Sequence, residues 1–390
     1  MKTVYAGEAA PSELKKSIFL AGPSPRKPEH PNWRVEALRI LEELEFDGVV
    51  FVPLPRDDRM EGLTEYGYDN QIEWETSYLN MADRVIFWVP RNLETLPAFT
   101  TNVEWGIWHD SGKVILSYPE DAPKMRYLAW HACEEKVPIR YSLRESLREA
   151  VVSLGEGAKR IGGEREVPLH IWKLPHFQRW YQSQVEAGNR IDGARVLWSF
   201  RVGPAKEFVF AFAVHVNVYV AAEGRNKTNE FIISRPDIST IVAFRRMPDF
   251  NDTEIVLVKE FRSPARTGDG YIREVPGGSS WKPNENPFAI MADELHEETG
   301  LTLSDSDRIR KVGVRQLTGT LSTHVAHVYA IELTVSELGF LRRQEGVAHG
   351  VEVDTERTFV EVVRLGDILA HESKSVDWSM MGMILSAILS

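Results

Sequence analysis

The chain has 390 residues, 43% of them hydrophobic and 26% charged, which is too long for one ordinary core and suggests two globular domains. Its formal net charge of −11 argues against nucleic-acid binding, which wants a basic footprint, but leaves room for a small anionic nucleotide held by a local site. From the amino terminus, residues 17–23 read as a short buried strand ending in the Gly22-Pro23 turn. Residues 33–44 form an amphipathic helix with Trp33, Ala37, Leu41 and Leu44 on one side, followed by a strand over 49–53. A helix over 72–81, a strand over 84–89, a helix over about 101–111 and a strand over 113–117 continue the alternation. That alternation implies an α/β layer fold with a mainly parallel sheet over residues 1–150. Ligands of such sheets collect at the carboxyl ends of the strands. Gly22 follows the first strand, Glu75 and Asp83 precede the third, and Glu104 lies on the helix after it. These four are the candidates for substrate contact in the first domain.

The glycine-rich stretch 155–163 marks a boundary, and residues 151–205 read as an aromatic-rich linker. Trp172, Phe177, Trp180, Tyr181 and Trp198 are dense there. Such a cluster could stack a base, but packing of one domain on the other is commoner and is the expectation. A second domain is expected over 206–390, with strands at 208–220, 230–234, 240–245, 254–262 and 271–276. The Pro276-Gly277-Gly278 turn leads into a helix carrying Phe288, Met291, Ala292 and Leu295 at helical spacing, with Gly300 as its stop. On it Glu294, Glu297 and Glu298 stand at i, i+3 and i+4, so three carboxylates share one face. Like charges so placed repel unless a cation sits among them. Hard divalent ions such as Mg²⁺ or Mn²⁺ take several oxygen ligands of this kind, and Gly278 lets backbone approach the same place. Taken alone, Glu-x-x-Glu-Glu is more often a solvated acidic face.

The whole stretch from Gly277 to Leu301 resembles the Nudix box. Glu285 falls eight positions before Asp293, and Glu294 to Leu301 match throughout. Two departures stand out: six residues rather than five separate Gly278 from Glu285, and Asp293 sits where the family has an arginine. The segments 234–237, 258–262 and 273–278 look most like the ADP-ribose pyrophosphatase branch. The resemblance implies an α/β/α sandwich that binds Mg²⁺ or Mn²⁺ through Glu294, Glu297, Glu298 and Glu274, with Glu297 and Glu298 in catalysis. It also implies Arg262 near a diphosphate and ADP-ribose as the leading substrate. Glu345, Glu352 and Glu356 are candidate general bases, of which Glu352 is preferred for its loop setting. Proteins of that branch often dimerise, so a homodimer is the expectation by resemblance.

The first domain resembles the nucleoside 2-deoxyribosyltransferase superfamily, in its deoxyribosyltransferase-like branch. The residues that carry this are 19–25, Trp33-Arg34, Trp74-Glu75, Ala82-Asp83, Phe87-Trp88, Val103-Glu104-Trp105-Gly106 and Gly112-Lys113. The resemblance implies a flavodoxin-like parallel sheet, Glu104 as the nucleophile that releases a nucleobase, and Glu75 as an acidic residue that contacts the base or positions the reaction. Ala98-Phe99-Thr100 stands where the enzymes have an acidic pair, and Phe19 where they have an aromatic hydroxyl.

The combined expectation is a two-domain enzyme, a Nudix-type hydrolase of a nucleoside diphosphate derivative fused to a domain that acts on an N-glycosidic bond. The competing reading is a nucleotide sensor that keeps both clefts without turnover. A single cysteine, Cys133, fits a reducing cytoplasm. The amino terminus lacks a signal-like apolar core, and the apolar tail 378–390 is too short to span a bilayer, so no membrane partner is expected.

Overall fold

A computed structural model describes all residues except 26–31, 57–67, 281–284, 304, 351–355 and 371–374. Contacts divide the chain into two units, Met1–Ile233 and Ser234–Ser390.

In the first unit the strands are β1 (Lys2–Tyr5), β2 (Ser17–Ala21), β3 (Val49–Val52), β4 (Arg84–Trp88), β5 (Val114–Ser117) and β6 (Ile139–Arg140). They form one sheet in the order β1–β3–β2–β4–β5–β6, parallel throughout. The helices are α1 (Trp33–Glu43), α2 (Tyr68–Met81), α3 (Phe99–Trp108), α4 (Arg126–Glu134) and α5 (Leu143–Leu154). The apolar runs are continuous because both sheet faces are covered. Ile18, Leu20, Val50, Val52 and Ile86 enter one core cluster, while Phe19, Ala21, Val49, Phe51, Val85 and Phe87 enter the other. Period-two alternation divides each strand between the two layers. From β2 the chain moves to β3 on one side, then crosses to β4 on the other. The strand order therefore reverses at β2, where such sheets open a crevice.

Residues 151–205 do not form a linker. Val167, Leu169, Ile171, Trp172, Phe177, Ile191 and Ala194 are buried in the first of these clusters. The aromatic side chains of Trp172, Phe177, Trp180 and Tyr181 pack on one another within this unit, on α6 (Pro175–Glu186) and just before it. The strands β7 (Arg190–Val202), β8 (Phe208–Val220) and β9 (Arg225–Ser234) form a separate sheet in the order β9–β8–β7. Phe212, Val214 and Val216 of β8 point into the first unit's core. That burial places the division after Ile233, beyond the expected start near 206.

The second unit is a mixed sheet with helices on both faces. Its main strands are β10 (Ile238–Arg245), β11 (Glu254–Phe261), β12 (Tyr271–Glu274), β13 (Arg310–Gln316), β14 (Val325–Glu332) and β15 (Thr358–Arg364). They run β13–β14–β10–β11–β15, with β12 pairing β11; β10 and β14 are parallel and the other pairs antiparallel. On one face Ile241, Ala243 and Val256 meet Met291 and Leu295 of α7 (Pro287–Thr299) and Leu338 and Leu341 of α8 (Val335–Gln344). On the other, Val242, Phe244, Ile255 and Leu257 meet Met383, Ile384 and Ile388 of α9 (Trp378–Leu389). No helix among the described residues is long and apolar enough to cross a membrane.

Candidate active sites

The first site lies at the carboxyl edge of the parallel sheet. Gly22 follows β2 with φ +148, and a Cβ there would stand 2.2 Å from the Trp88 carbonyl oxygen, so only glycine lets the two strand ends approach. Arg34 on α1 folds back over this turn. It donates from Nε to the Leu20 carbonyl at 3.0 Å, from Nη2 to the Gly22 carbonyl at 2.6 Å and from Nη1 to Ser24 Oγ at 3.2 Å. A buried guanidinium thus sits beneath a cavity of about 220 Å³ lined by Gly22, Arg34, Gln71, Glu75 and Glu104.

Glu75 on α2 and Glu104 on α3 hydrogen-bond to each other. Gln71 Nε2 donates to Glu75 Oε1 at 2.8 Å and fixes its orientation. Burial raises the pKa of both carboxyls. For Glu104 it acts together with the neighbouring charge of Glu75 and is opposed by Arg34, giving about 8. Burial also raises Glu75, but there the hydrogen bonds from Gln71 and Glu104 and the charge of Arg34 act downward. The pair therefore holds one proton at neutral pH, and Glu104 is its preferred seat.

Asp83 does not belong to this cavity. It is fully buried and accepts from Arg160 Nη1 and Nη2 at 2.8 and 2.7 Å, from Ser17 Oγ at 3.0 Å and from the Leu169 amide at 2.8 Å. With its oxygens committed to β2, Arg160 and the following helical turn, Asp83 ties the sheet to residues 160–169. The expectation of substrate contact there is corrected. Arg34 was legible only as part of a motif; its role needs the three carbonyl and hydroxyl contacts to be seen.

The second site is built on α7. Asn286 caps its first turn by accepting from the Phe288 amide at 3.0 Å, Pro287 opens the helix, and Gly300 closes it at φ +72. Glu298 is 2% exposed and accepts from the Gly277 amide at 2.9 Å. Oxygens of Glu260, Glu298 and Glu356 lie within 4.8 Å of one another. Glu260 is the penultimate residue of β11 at an inward position, and Glu356 precedes β15. Burial raises the Glu298 pKa well above the carboxylate range, with the charges of Glu294, Glu356 and Glu260 adding to it. Glu260 is raised to about 7 mainly by burial. Glu294 also reaches about 7 through burial and the charges of Glu297, Glu356 and Asp293. Its carboxylate lies against Gly278, whose Cβ would stand 2.2 Å from Glu294 Oε1.

Of the four residues expected to bind metal, Glu298 alone joins this ligand-spaced group. Glu294 stands beside it, Glu297 is exposed, and Glu274 accepts from Arg262 Nε at 3.0 Å. Arg262 Nη2 bridges Glu260 at 2.7 Å and Glu274 at 2.9 Å. Glu352 lies outside the described residues, and Glu345 accepts from the Val362 amide at 3.1 Å. Glu260 escaped sequence reasoning, although a carboxylate at the buried parity of a strand was the available signal.

No curated protein matches the chain. Residues 15–122 match the family model described as nucleoside 2-deoxyribosyltransferase like. That segment spans β2 to β5 and holds Gly22, Arg34, Glu75 and Glu104, so the first unit contains a nucleoside 2-deoxyribosyltransferase-like domain.

Proposed function

We propose that the first unit cleaves the N-glycosidic bond of a small nucleoside-containing substrate. The observation that carries this is the half-buried, hydrogen-bonded Glu75–Glu104 pair lining a cavity at the carboxyl edge of the sheet. Two carboxyls sharing one proton supply both groups the reaction needs. Glu104 passes its proton to Glu75 and its carboxylate attacks the anomeric carbon. The carbon–nitrogen bond breaks, its electron pair stays on the base, and Glu75 protonates the departing nitrogen. Water or a second base then displaces the ester at Glu104. Arg34 holds the negative charge of the pair within the cavity throughout. Chromatographic detection of free base from a nucleoside and nucleotide panel tests the reading. Glu104→Gln should abolish release, and release undiminished in that variant would overturn it.

For the second unit we infer a Nudix-type hydrolase of a nucleoside diphosphate derivative, with ADP-ribose as the leading substrate. Two things support it: the Gly277 to Leu301 spacing and the convergence of Glu260, Glu298 and Glu356 beside Arg262. Carboxylates within 4.8 Å of one another, two of them buried, suit a hard divalent ion, so Glu298, Glu260 and Glu356, with Glu294 adjacent, would hold Mg²⁺ or Mn²⁺. When bound, such an ion neutralises diphosphate charge and lowers the pKa of water. Arg262 offers a planar fork to a diphosphate oxygen pair, and Glu260 and Glu274 keep that fork oriented. Product analysis with ADP-ribose, with and without Mg²⁺, tests this reading independently of base release. Absence of metal-dependent hydrolysis across the panel would favour a binding role for this unit.

A further inference from the structure

The Glu75–Glu104 pair is open on two sides. Beyond the 220 Å³ cavity, a larger one of about 670 Å³ lies along the outer faces of α2 and α3 and is bounded by residues 195–201 of β7. Ile72, Glu75, Thr100 and Glu104 line both. Ligand pockets usually occupy about 300–1,000 Å³. The smaller cavity falls below that range and the larger within it, so a substrate gripped at the carboxylate pair extends into the larger one.

The chemistry of the larger cavity is uneven. Trp198 and Phe200 are stacked with ring centroids 6.1 Å apart, and each is about half exposed. Trp108 lines another part of the wall. Arg195, Arg201 and Lys206 also line the cavity, together with Glu135 and Asp110. Arg201 is fixed in place: Nη2 donates to the Asp110 carbonyl and to Glu135, both at 3.3 Å, and its stem packs over the Gly112 turn. Lys206 Nζ reaches the same Glu135 oxygen at 2.9 Å. One carboxylate is thus shared by two cations, and Arg195 on the same strand is exposed. Arg195 makes no ion pair among the described residues, so cationic capacity is left over in the wall of the cavity. Lys113, buried against Trp108 and donating to the Leu79 and Asn80 carbonyls, has its pKa lowered to about 7 by burial and is committed to the fold rather than to a ligand.

We propose that this larger cavity receives the phosphate-bearing part of a phosphorylated nucleoside, so that the first unit's substrate is a nucleotide rather than a free nucleoside. This rests on the assignment of Glu75 and Glu104 to the glycosidic bond. The sugar lies at the pair, the stacked rings cover an apolar stretch of the ligand, and the arginine forks meet phosphate oxygens.

The test measures binding apart from turnover. Tryptophan fluorescence of the full chain is titrated, without divalent metal, with 2′-deoxynucleosides, their 5′-monophosphates and 5′-diphosphates, and inorganic phosphate. Phosphorylated ligands should bind at least tenfold more tightly than the matching nucleosides at low salt, with the gap narrowing as salt rises. Arg195→Gln and Lys206→Gln, both at accessible positions, should each reduce the ratio of nucleotide to nucleoside affinity, and the double variant should bring it near one. Equal affinities across every nucleoside–nucleotide pair would overturn the proposal, as would an unchanged ratio in the double variant. A tenfold preference without base release would retain this cavity's role and overturn the glycosidic reading. Base release from nucleosides with no preference for phosphate would do the reverse.

Discussion

Arg160 donates from both terminal nitrogens to the two oxygens of Asp83, at 2.8 and 2.7 Å, and neither side chain is exposed. The pair joins the end of the α2–β4 connection to the segment that follows α5. Ser17 and the Leu169 amide complete the shell around Asp83. Removing one partner of such a pair leaves an uncompensated buried charge, which costs about 3–5 kcal/mol. Asp83→Ala and Arg160→Ala should each lower stability by about that amount in urea titrations. Their effects should fall well short of additive in the double variant. Losses below about 1 kcal/mol would show that the pair is not a structural tie.

The Glu104 carboxyl is pushed up to about 8 by burial and by Glu75. Its folded-state pKa therefore lies above its unfolded value. The linked stability is fully present below the unfolded pKa near 4.5 and is lost as pH rises through about 8. Glu104→Gln removes the titration. The variant should resemble wild type in melting temperature near pH 5 and exceed it near pH 8.5, by an amount corresponding to about 1–3 kcal/mol. A difference independent of pH would place the proton elsewhere. Base release should show a bell-shaped pH dependence, since the reaction uses one protonated and one ionised member of the pair.

Much of the first unit could be read from local pattern. Apolar runs such as Val49–Val52 and Arg84–Trp88 are strands because both of their faces are buried, and the alternation with helices implies parallel pairing. The α7 boundaries follow from residues that act locally, Pro287 and Gly300. What stayed hidden depends on contacts distant in sequence. Residues 155–163 look like a boundary because glycines cluster there, yet Gly163 lies against the Gly193 backbone and the flanking aromatic residues fill the first core. Glu260 and Glu298 are 38 positions apart and meet only when β11 and α7 pack on one sheet. Asp83 had the polarity and position of a ligand contact, and only its partner Arg160 reveals its structural role.

Under the proposed metal site of the second unit, Glu260, Glu298 and Glu356 are the ligand-spaced carboxylates and Glu297 is not among them. Mg²⁺ or Mn²⁺ should raise the melting temperature of the full chain, because an ion that binds only the folded state stabilises it by about 2.7 kcal/mol at a hundredfold excess over Kd. Glu298→Gln and Glu356→Gln should abolish most of that shift. Both should be at least as stable as wild type without metal, since each relieves repulsion within the group. Exposed Glu297→Gln should keep most of the shift. Loss of the metal response in Glu297→Gln, with Glu356→Gln unaffected, would restore the ligand set read from the helix face alone.

The neighbouring glycines of the turn before α7 should fail in different ways. At Gly277 an added Cβ would meet the Ser239 carbonyl oxygen at 2.5 Å and Thr240 Cα at 2.7 Å. Those are backbone atoms of β10, held in register by pairing with β14, and they cannot retreat without disturbing the sheet. Gly277→Ala should therefore cost about 2–4 kcal/mol of stability. At Gly278 the added Cβ would meet Glu294 Oε1 at 2.2 Å and Cδ at 2.5 Å, the far end of a flexible side chain. Glu294 can swing away at little cost to folding, but its carboxylate then leaves the neighbourhood of Glu298 and Glu356, whose charges register on one another. Gly278→Ala should keep its melting temperature to within what about 1 kcal/mol produces. Metal-dependent hydrolysis of a nucleoside diphosphate substrate should fall at least tenfold. Chemical denaturation and turnover measured on the same preparations distinguish the two. Equal loss of stability in both variants would show that the loop is rigid at both glycines. Full turnover in Gly278→Ala would remove Glu294 from the machinery of the site.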